Sequence, residues 1–431
     1  MNFNYRISRR AFLAGTAGAS ALAVMHPFAA LAAAGQAHLR IMETTDVHVA
    51  VFPYDYYGDR PDDTQGLART AALIEQIRGE AGNSILVDNG DVIQGNPMGD
   101  YIAYEKGLDG EPHPVIAAMN TLGYEVGTLG NHEFNYGLEF LEAALAGANF
   151  PFVNANITKA DGTPLIPPYL VVEKELTDGA GAKHPIKLGF IGFVPPQIMT
   201  WDATHLTGKV TTSDIVESAQ KYVPEMKAAG ADLIIALSHS GIAADQTTGA
   251  ENASLQLAGV DGIDVVLTGH QHLVFPNSEA FKDIAGVDLA AGTLNGKPAV
   301  MAGFWGSHMG LIDLLLERAD DGKWSVVSHT AEARPIVQRV DNKNVPTVES
   351  EPEVLAAAQA NHDATLEYVR RPVGETAAAL HSYFALVADD PSVQIVNIAQ
   401  KWYLERMLKG TEHEGVPLLS AAAPFKAGGR G

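Results

Sequence analysis

Short apolar runs recur along the chain, and between them the spacing of apolar residues changes from strand-like to helical. Leu39 to Glu43, Ser84 to Val87, Tyr124 to Thr128, Lys187 to Phe193, Asp232 to Leu237 and Val265 to Leu267 have the length and character of buried strands. Within Thr64 to Arg78, Leu67, Ala71, Ile74 and Ile77 fall on one helical face. Leu138, Leu141 and Leu145 do the same within Gly137 to Gly147, and Asp214 to Ala229 predicts a third helix. Farther on, Pro298 to Ala302, Gly310 to Arg318 and Lys323 to Ser328 predict strands without long helices between them. Such an order predicts an α/β sandwich of two mixed β-sheets flanked by helices.

The pattern breaks after about Pro346. Glu353 to Arg370 is rich in alanine and free of glycine and proline, which predicts a connecting helix, and Arg371-Pro372-Val373-Gly374 punctuates its end. The 431 residues exceed the ~250–300 at which a single core stops growing, so a second domain is expected. The expected division is a leader over 1–37, a main domain over 38–345, a linker helix over 346–370 and a second α/β segment over 371–431. That last segment is shorter than the ~100–150 residues usual for a domain.

Polar motifs follow the predicted strands in a fixed order. They are Asp46-Val47-His48, Gly90-Asp91, Gly130-Asn131-His132-Glu133, His239 and Gly269-His270-Gln271-His272. Parallel strands ending at one sheet edge bring such loops to a common crevice. Three carboxylate or carboxamide oxygens and four imidazoles then converge, a donor set suited to two divalent cations sharing a carboxylate. Taken singly each motif is weak. Asn131, for instance, reads equally well as a helix cap before Gly137 to Gly147. Their conjunction in order, each behind a strand, is what carries the metal reading.

The series Asp-x-His, Gly-Asp, Gly-Asn-His-Glu, His, Gly-His-x-His resembles that of the calcineurin-like metallophosphoesterases. Within them the chain resembles the bacterial 2',3'-cyclic-nucleotide 2'-phosphodiesterase/3'-nucleotidase branch. That narrower likeness rests on Met42 to His48, Tyr54 to Tyr57, Asp88 to Pro97, Leu129 to Leu138, Asn154 to Asn156 and Ala421 to Gly431. The resemblance implies that Asp46, His48 and His272 hold one ion, that Asn131, His239 and His270 hold the other, and that Asp91 bridges. Alternation along an extended segment is expected to turn Gln271 away while both flanking imidazoles reach the ions. Imidazole-rich sites of this kind suit manganese, zinc, cobalt or iron. The resemblance further implies that a water held between the ions attacks phosphorus, with His132 stabilising the transition state and protonating the leaving ribose oxygen.

Glu133 reads as structural. Where the 5'-nucleotidase relatives carry an Asp three residues after the catalytic His, this chain has Asn135, as in the cyclic-nucleotide branch. Arg430, within Lys426 to Arg430, aligns with a family segment that contacts phosphate or sugar. The family's second domain is much longer than 371–431, so the chain is expected to stop inside it, with the base-binding aromatic pair beyond Gly431. The implied substrates are 2',3'-cyclic nucleotides and 3'-nucleotides. A 5'-nucleotidase or UDP-sugar hydrolase is the alternative within enzymes, and a binding remnant the alternative outside them.

Charge and leader complete the expectation. Cysteine is absent, which excludes disulfides and thiolate metal sites. A formal charge of −22 argues against a nucleic-acid polymer or an anionic membrane as partner. Ser8-Arg9-Arg10-Ala11-Phe12-Leu13 resembles a twin-arginine export signal, followed by a modestly apolar stretch and a small-residue cleavage site near Ala30-Leu31-Ala32. Gly15, Gly18 and Pro27 interrupt that stretch, so stable membrane insertion is not expected. A periplasmic enzyme, delivered by the twin-arginine translocation machinery, is the resulting expectation.

Overall fold

The computed structural model describes residues 32–422 apart from residue 246, so the leader motif and Arg430 lie outside the described residues. Two compact units divide the chain between Val369 and Arg370.

Eleven strands of the first unit build its two main sheets: β1 (Gln36–Thr44), β2 (Ser84–Asp88), β3 (Val126–Thr128), β4 (Phe152–Val153), β5 (Tyr169–Thr177), β6 (Lys183–Phe193), β7 (Leu233–Ser238), β8 (Val265–Thr268), β9 (Lys297–Ala302), β10 (His308–Arg318) and β11 (Trp324–Pro335). The first sheet runs β11-β10-β1-β2-β3-β4. Strands β1 to β4 are mutually parallel, and β10 and β11 are antiparallel additions. In the second sheet β9-β8-β7-β6 are parallel and β5 closes one edge antiparallel to β6. Short strands at Val274–Phe275, Val287–Asp288 and Thr293–Leu294 extend its other edge.

Alternation within each strand divides its side chains between two cores. Leu39 and Ile41 of β1 meet Leu233, Ile235 and Leu237 of β7 in the layer between the sheets. Met42 faces the opposite way, onto a core with Leu67, Ile74 and Ile77 of the helix Leu67–Arg78. On the second sheet Ile234 and Ala236 face Ile215, Val223 and Met226 of the helix Ile215–Ala228. Burial on both faces explains why these strands read as continuous apolar runs. It also fixes register, because a one-residue slip would exchange the two faces.

Several elements escape the sequence reading. The nine-residue strand β5 is one, and the hairpin Val337–Val340 with Lys343–Pro346 is another. The helix Pro352–Val369 belongs to the first unit, where Val354 and Ala358 enter the core beneath Leu67–Arg78. His362 of that helix stacks on Phe52 at 4.1 Å and accepts or donates a 2.6 Å hydrogen bond with the Tyr56 hydroxyl. Tyr56 is thus buried against that helix, whereas Tyr57 is exposed. In the second unit, the helix Pro391–Leu408 carries no buried side chain, and Phe384, Ile395, Ile398 and Trp402 are all exposed.

Candidate metal centre

Parallel β1, β2 and β3 of one sheet and β7 and β8 of the other end at a common edge, and the loops that follow carry every predicted ligand. Tight turns hold them there. Asp46, His48, Asp91, His270 and His272 all lie in the left-handed backbone region, with φ of 52°, 48°, 57°, 70° and 55°. Non-glycine residues are uncommon in that region, and clusters of such strain mark sites where geometry is over-determined by function. The Gly269-to-His272 segment is therefore a left-handed turn and not the extended strand expected from its alternation. Gln271 still faces away, its Oε1 accepting from the Ile242 amide at 2.8 Å.

Two groups of side chains converge. Ligating atoms of Asp46, His48, Asp91 and His272 lie within 4.8 Å of one another, as do those of Asp91, His239 and His270. Asp91 belongs to both groups, its Oδ2 being 3.0 Å from His239 Nε2 and 3.9 Å from His48 Nε2. The Nε2 atoms of His48 and His272 face each other at 2.9 Å, and Asp46 Oδ1 is 3.3 Å from the latter. Asn131 Oδ1 joins the second group, 2.8 Å from His270 Nδ1, and its side chain caps no helix.

The orientation of these rings is set from behind. His48 Nδ1 lies 2.8 Å from the Gln94 carbonyl, and His239 Nδ1 lies 2.7 Å from the Asn89 carbonyl. A carbonyl only accepts, so each Nδ1 carries the proton and each Nε2 is left with its lone pair toward the centre, free to ligate a cation. His270 Nε2 is 2.8 Å from Glu251 Oε1, leaving Nδ1 to the centre. Phe304 stacks on His272 at 4.8 Å, and Trp201 stacks on His270 at 5.8 Å. Glu133 is buried and gathers the amides of Asp91, Val92 and Ile93 at 2.8, 2.6 and 3.2 Å, with that of Gly130 at 2.5 Å. Its carboxylate thereby ties the Asp91 loop to the Asn131 loop.

The donors fit a pair of divalent cations. Asp46 Oδ1 and His239 Nε2 are fully buried and, despite these neighbours, make no well-directed hydrogen bond, an expense that cation ligation removes. Burial opposes charge on His239, but Asp91 and Asp46 outweigh it and hold the imidazole at about 10. Burial would likewise raise Asp91, and the neighbouring imidazoles, His239 foremost, hold it below the usual carboxylate range. Buried carboxylates that draw positive charge onto neighbouring imidazoles favour a bound cation in the same way. Oxygen and imidazole donors without thiolate suit hard or borderline metals.

His132 stands beside this centre and ligates in neither group. Its amide donates to Asp91 Oδ1 at 2.7 Å, and its ring lies 5.0 Å from that of His48. His132 Nδ1 pairs with Asn135 Oδ1 at 2.6 Å. Glu251, Trp201, Phe304 and the carbonyls of Asn89 and Gln94 were not singled out in the sequence. None carries a spacing signal, since main-chain carbonyls are sequence-blind.

The calcineurin-like phosphoesterase family matches residues 39–274, from within β1 to just past His272. The chain belongs to that family. It is 52% identical over 395 residues to the 2',3'-cyclic-nucleotide 2'-phosphodiesterase/3'-nucleotidase of Salmonella typhimurium, covering 91% of this chain and 60% of the relative. The enzyme of the same name from Yersinia enterocolitica is 50% identical over 403 residues, covering 93% and 61%. The chain thus spans about three fifths of the length of these curated relatives. Among solved structures, the calcineurin-like phosphoesterase YfkN of Bacillus subtilis matches with a TM-score of 0.73 and 48% identity, covering 78% of this chain and all of that one. Membership of the calcineurin-like phosphoesterases, together with two Asp/His groups that could each hold an ion, implies divalent metals.

Proposed function

We propose that the protein is a phosphoric ester hydrolase that opens 2',3'-cyclic nucleotides to 3'-nucleotides and then removes the 3'-phosphate. The single observation that carries this reading is the placement of His132 beside two Asp/His groups that share Asp91, with its amide on that carboxylate. The nucleotide specificity is supported by relatives of that name at about half identity.

In this reading Asp46, His48, His272 and Asp91 hold one cation, and Asp91, Asn131, His239 and His270 the other. When bound, the pair supplies positive charge at the phosphoryl oxygens and lowers the pKa of water. We favour manganese, zinc, cobalt or iron on the imidazole-rich donor set. The Gln94 and Asn89 carbonyls keep Nε2 of His48 and His239 aimed inward, so the site is preorganised before substrate arrives. His132, its Nδ1 occupied by Asn135, offers Nε2 to the leaving oxygen. For the cyclic substrate the bond from phosphorus to O2' breaks as a water oxygen bonds to phosphorus; O2' takes the Nε2 proton of protonated His132, and the proton released by the water goes to solvent, from which His132 is reprotonated. In the second step the bond to O3' breaks in the same way. We place the enzyme in the periplasm on the strength of Ser8-Arg9-Arg10 and propose the twin-arginine machinery as its export partner.

Assay of the manganese-loaded protein against 2',3'-cyclic AMP, 3'-AMP and 5'-AMP tests the reading. Turnover of the first two, with 3'-AMP appearing as an intermediate from the first, is expected. Turnover of 5'-AMP alone would overturn it.

A further inference from the structure

We propose that Asp202 is a positioning residue for His132, acting through Asn135, and that it supplies from a separate element the carboxylate that position 135 lacks. The inference rests on His132 as the proton donor of the reaction proposed above. Asn135 ends the short turn His132–Phe134, and its Oδ1 meets His132 Nδ1 at 2.6 Å. A carboxamide has two unlike ends, and His132 alone does not decide which of them it meets. If Nδ2 faced the ring, Nδ1 would have to accept and the proton would move to Nε2.

The other end of the amide decides. Asn135 Nδ2 donates to Asp202 Oδ1 at 2.9 Å. An ionised carboxylate only accepts, so the amide nitrogen is committed to Asp202 and the amide oxygen to His132. The imidazole then carries its fixed proton on Nδ1, and Nε2 is the ring atom left for proton transfer. A chain of accept-only and donate-only groups thus runs from a buried carboxylate to the reacting nitrogen.

Asp202 has no competing structural duty that accounts for it. It is 6% exposed, and its Oδ2 is buried without a hydrogen-bond partner. Burying a half-satisfied carboxylate costs stability. Asp202 sits at the N-cap of the helix Ala203–Leu206, but its side chain caps nothing there. The turn is anchored on both sides: Trp201 stacks on His270, and Leu206 is buried in the core. The same short segment therefore braces a metal-side imidazole and aims the proton donor. Placing the charge one amide away orients the ring without setting a carboxylate directly against it.

The test joins a spectroscopic and a kinetic arm. In zinc-loaded protein with ¹⁵N-labelled histidine, the His132 resonances, assigned by their loss in His132→Asn, should show the proton on Nδ1 at alkaline pH. Asp202→Ala should release that preference. Kinetically, Asp202→Ala should lower kcat for 3'-AMP by about 10–100-fold, the usual loss when an outer-shell partner is removed, with KM nearly unchanged. A nitrophenyl phosphodiester, whose leaving group needs little protonation, should lose much less. Asp202→Asn keeps an acceptor for Asn135 and should restore most of the rate. Should Asp202→Ala fail to fold, the exchange pair decides: Asn135→Asp alone sets two carboxylates together and should be slow, and adding Asp202→Asn should recover it. A wild-type proton on Nε2, equal losses for both leaving groups, or no recovery in the exchange pair would each overturn the proposal. If the wild-type protein turns over neither nucleotide, the reaction is wrong, and the ¹⁵N arm still judges the relay.

Discussion

His239 meets Asp91 across 3.0 Å while the Asn89 carbonyl holds the far side of its ring at 2.7 Å. The contact joins loops from opposite sheets, since His239 follows β7 and Asp91 follows β2. Neither sheet alone contains the centre. The sandwich is therefore part of the chemistry, because the distance between the sheets sets the distance between donors. Asp91 is the hinge of the arrangement, reaching His239 on one side and His48 on the other.

Asp91→Ala should accordingly empty both positions, whereas His272→Ala should weaken mainly the one it shares with Asp46 and His48. Elemental analysis after desalting should find close to no bound metal in the first variant and a substantial residue in the second. Because a bound cation contributes several kcal/mol to transition-state charge stabilisation, Asp91→Ala should lose roughly 10²–10⁴-fold in rate. Two ions retained in Asp91→Ala would show that it does not bridge.

Gly130 makes the close approach between these loops feasible. A Cβ there would lie 2.6 Å from the Asp91 amide nitrogen and 2.7 Å from His239 Cε1, and it would also strike Asp91 Oδ1. Backbone at that separation has to move, and it moves the bridging carboxylate with it. Gly130→Ala should fold, since the sheets are untouched, but bind metal at least about tenfold more weakly, as displaced ligand geometry does. Circular dichroism unchanged alongside normal metal affinity would contradict the steric argument.

The legible part of this site was the convergence of its donor side chains, and the reason is geometric. Each of Asp46, Asp91, Asn131, His239 and His270 follows a buried strand, and a buried parallel strand announces itself as an apolar run. The strand fixes where its end lies, so the next polar residues inherit a common edge. What lay beyond reach was the support behind them. Asn89 and Gln94 act through main-chain carbonyls, which any residue possesses. Glu251 and Asp202 come from irregular stretches with no periodicity to place them. The left-handed backbone at His270 and His272 was also hidden, because that region is usually announced by glycine and here is enforced by the surrounding contacts. Strand β5 escaped for a different reason: it is a half-exposed edge strand with charged residues at Glu173, Lys174 and Glu175, which blurs the apolar signal.

Acid should destabilise the first unit partly through His113. This ring is fully buried at the head of the helix Pro114–Met119, where Nδ1 accepts from the Val115 amide and Nε2 has no partner. Burial, aided by the charge of Lys106, pushes its pKa down to about 3. In the unfolded chain the ring titrates near ~6.5. Above that both states are neutral and the ring contributes nothing. As pH falls below it, the unfolded chain binds a proton that the folded one refuses until about 3. Stability should therefore fall by up to ~1.4 kcal/mol per pH unit within that window. His113→Asn keeps a capping acceptor and cannot titrate. Denaturant melts near pH 7 and pH 5 should show the variant gaining about 2 kcal/mol relative to wild type on acidification; a constant difference would exclude His113.

Glu251 offers the most direct test of how the second ion is tuned. His270 has two ring nitrogens engaged, Nδ1 toward Asn131 and Nε2 toward Glu251 at 2.8 Å each. The carboxylate draws the imidazole proton to Nε2, which leaves Nδ1 bare for the cation and raises its basicity. Removing such an outer partner usually costs ~10–100-fold in metal affinity. Glu251 is 41% exposed, so water replaces part of what Glu251→Ala removes, and a loss near the lower end, about tenfold, is expected. Glu251→Gln still presents a carbonyl oxygen to Nε2 and should lose less. Selectivity is the sharper readout, because His48 is held by Gln94 and not by Glu251. Titration of the metal-free protein with zinc against a chelator should show one step weakened and the other unmoved. Equal weakening of both steps would mean that Glu251 shapes the loop as a whole and does not act through His270.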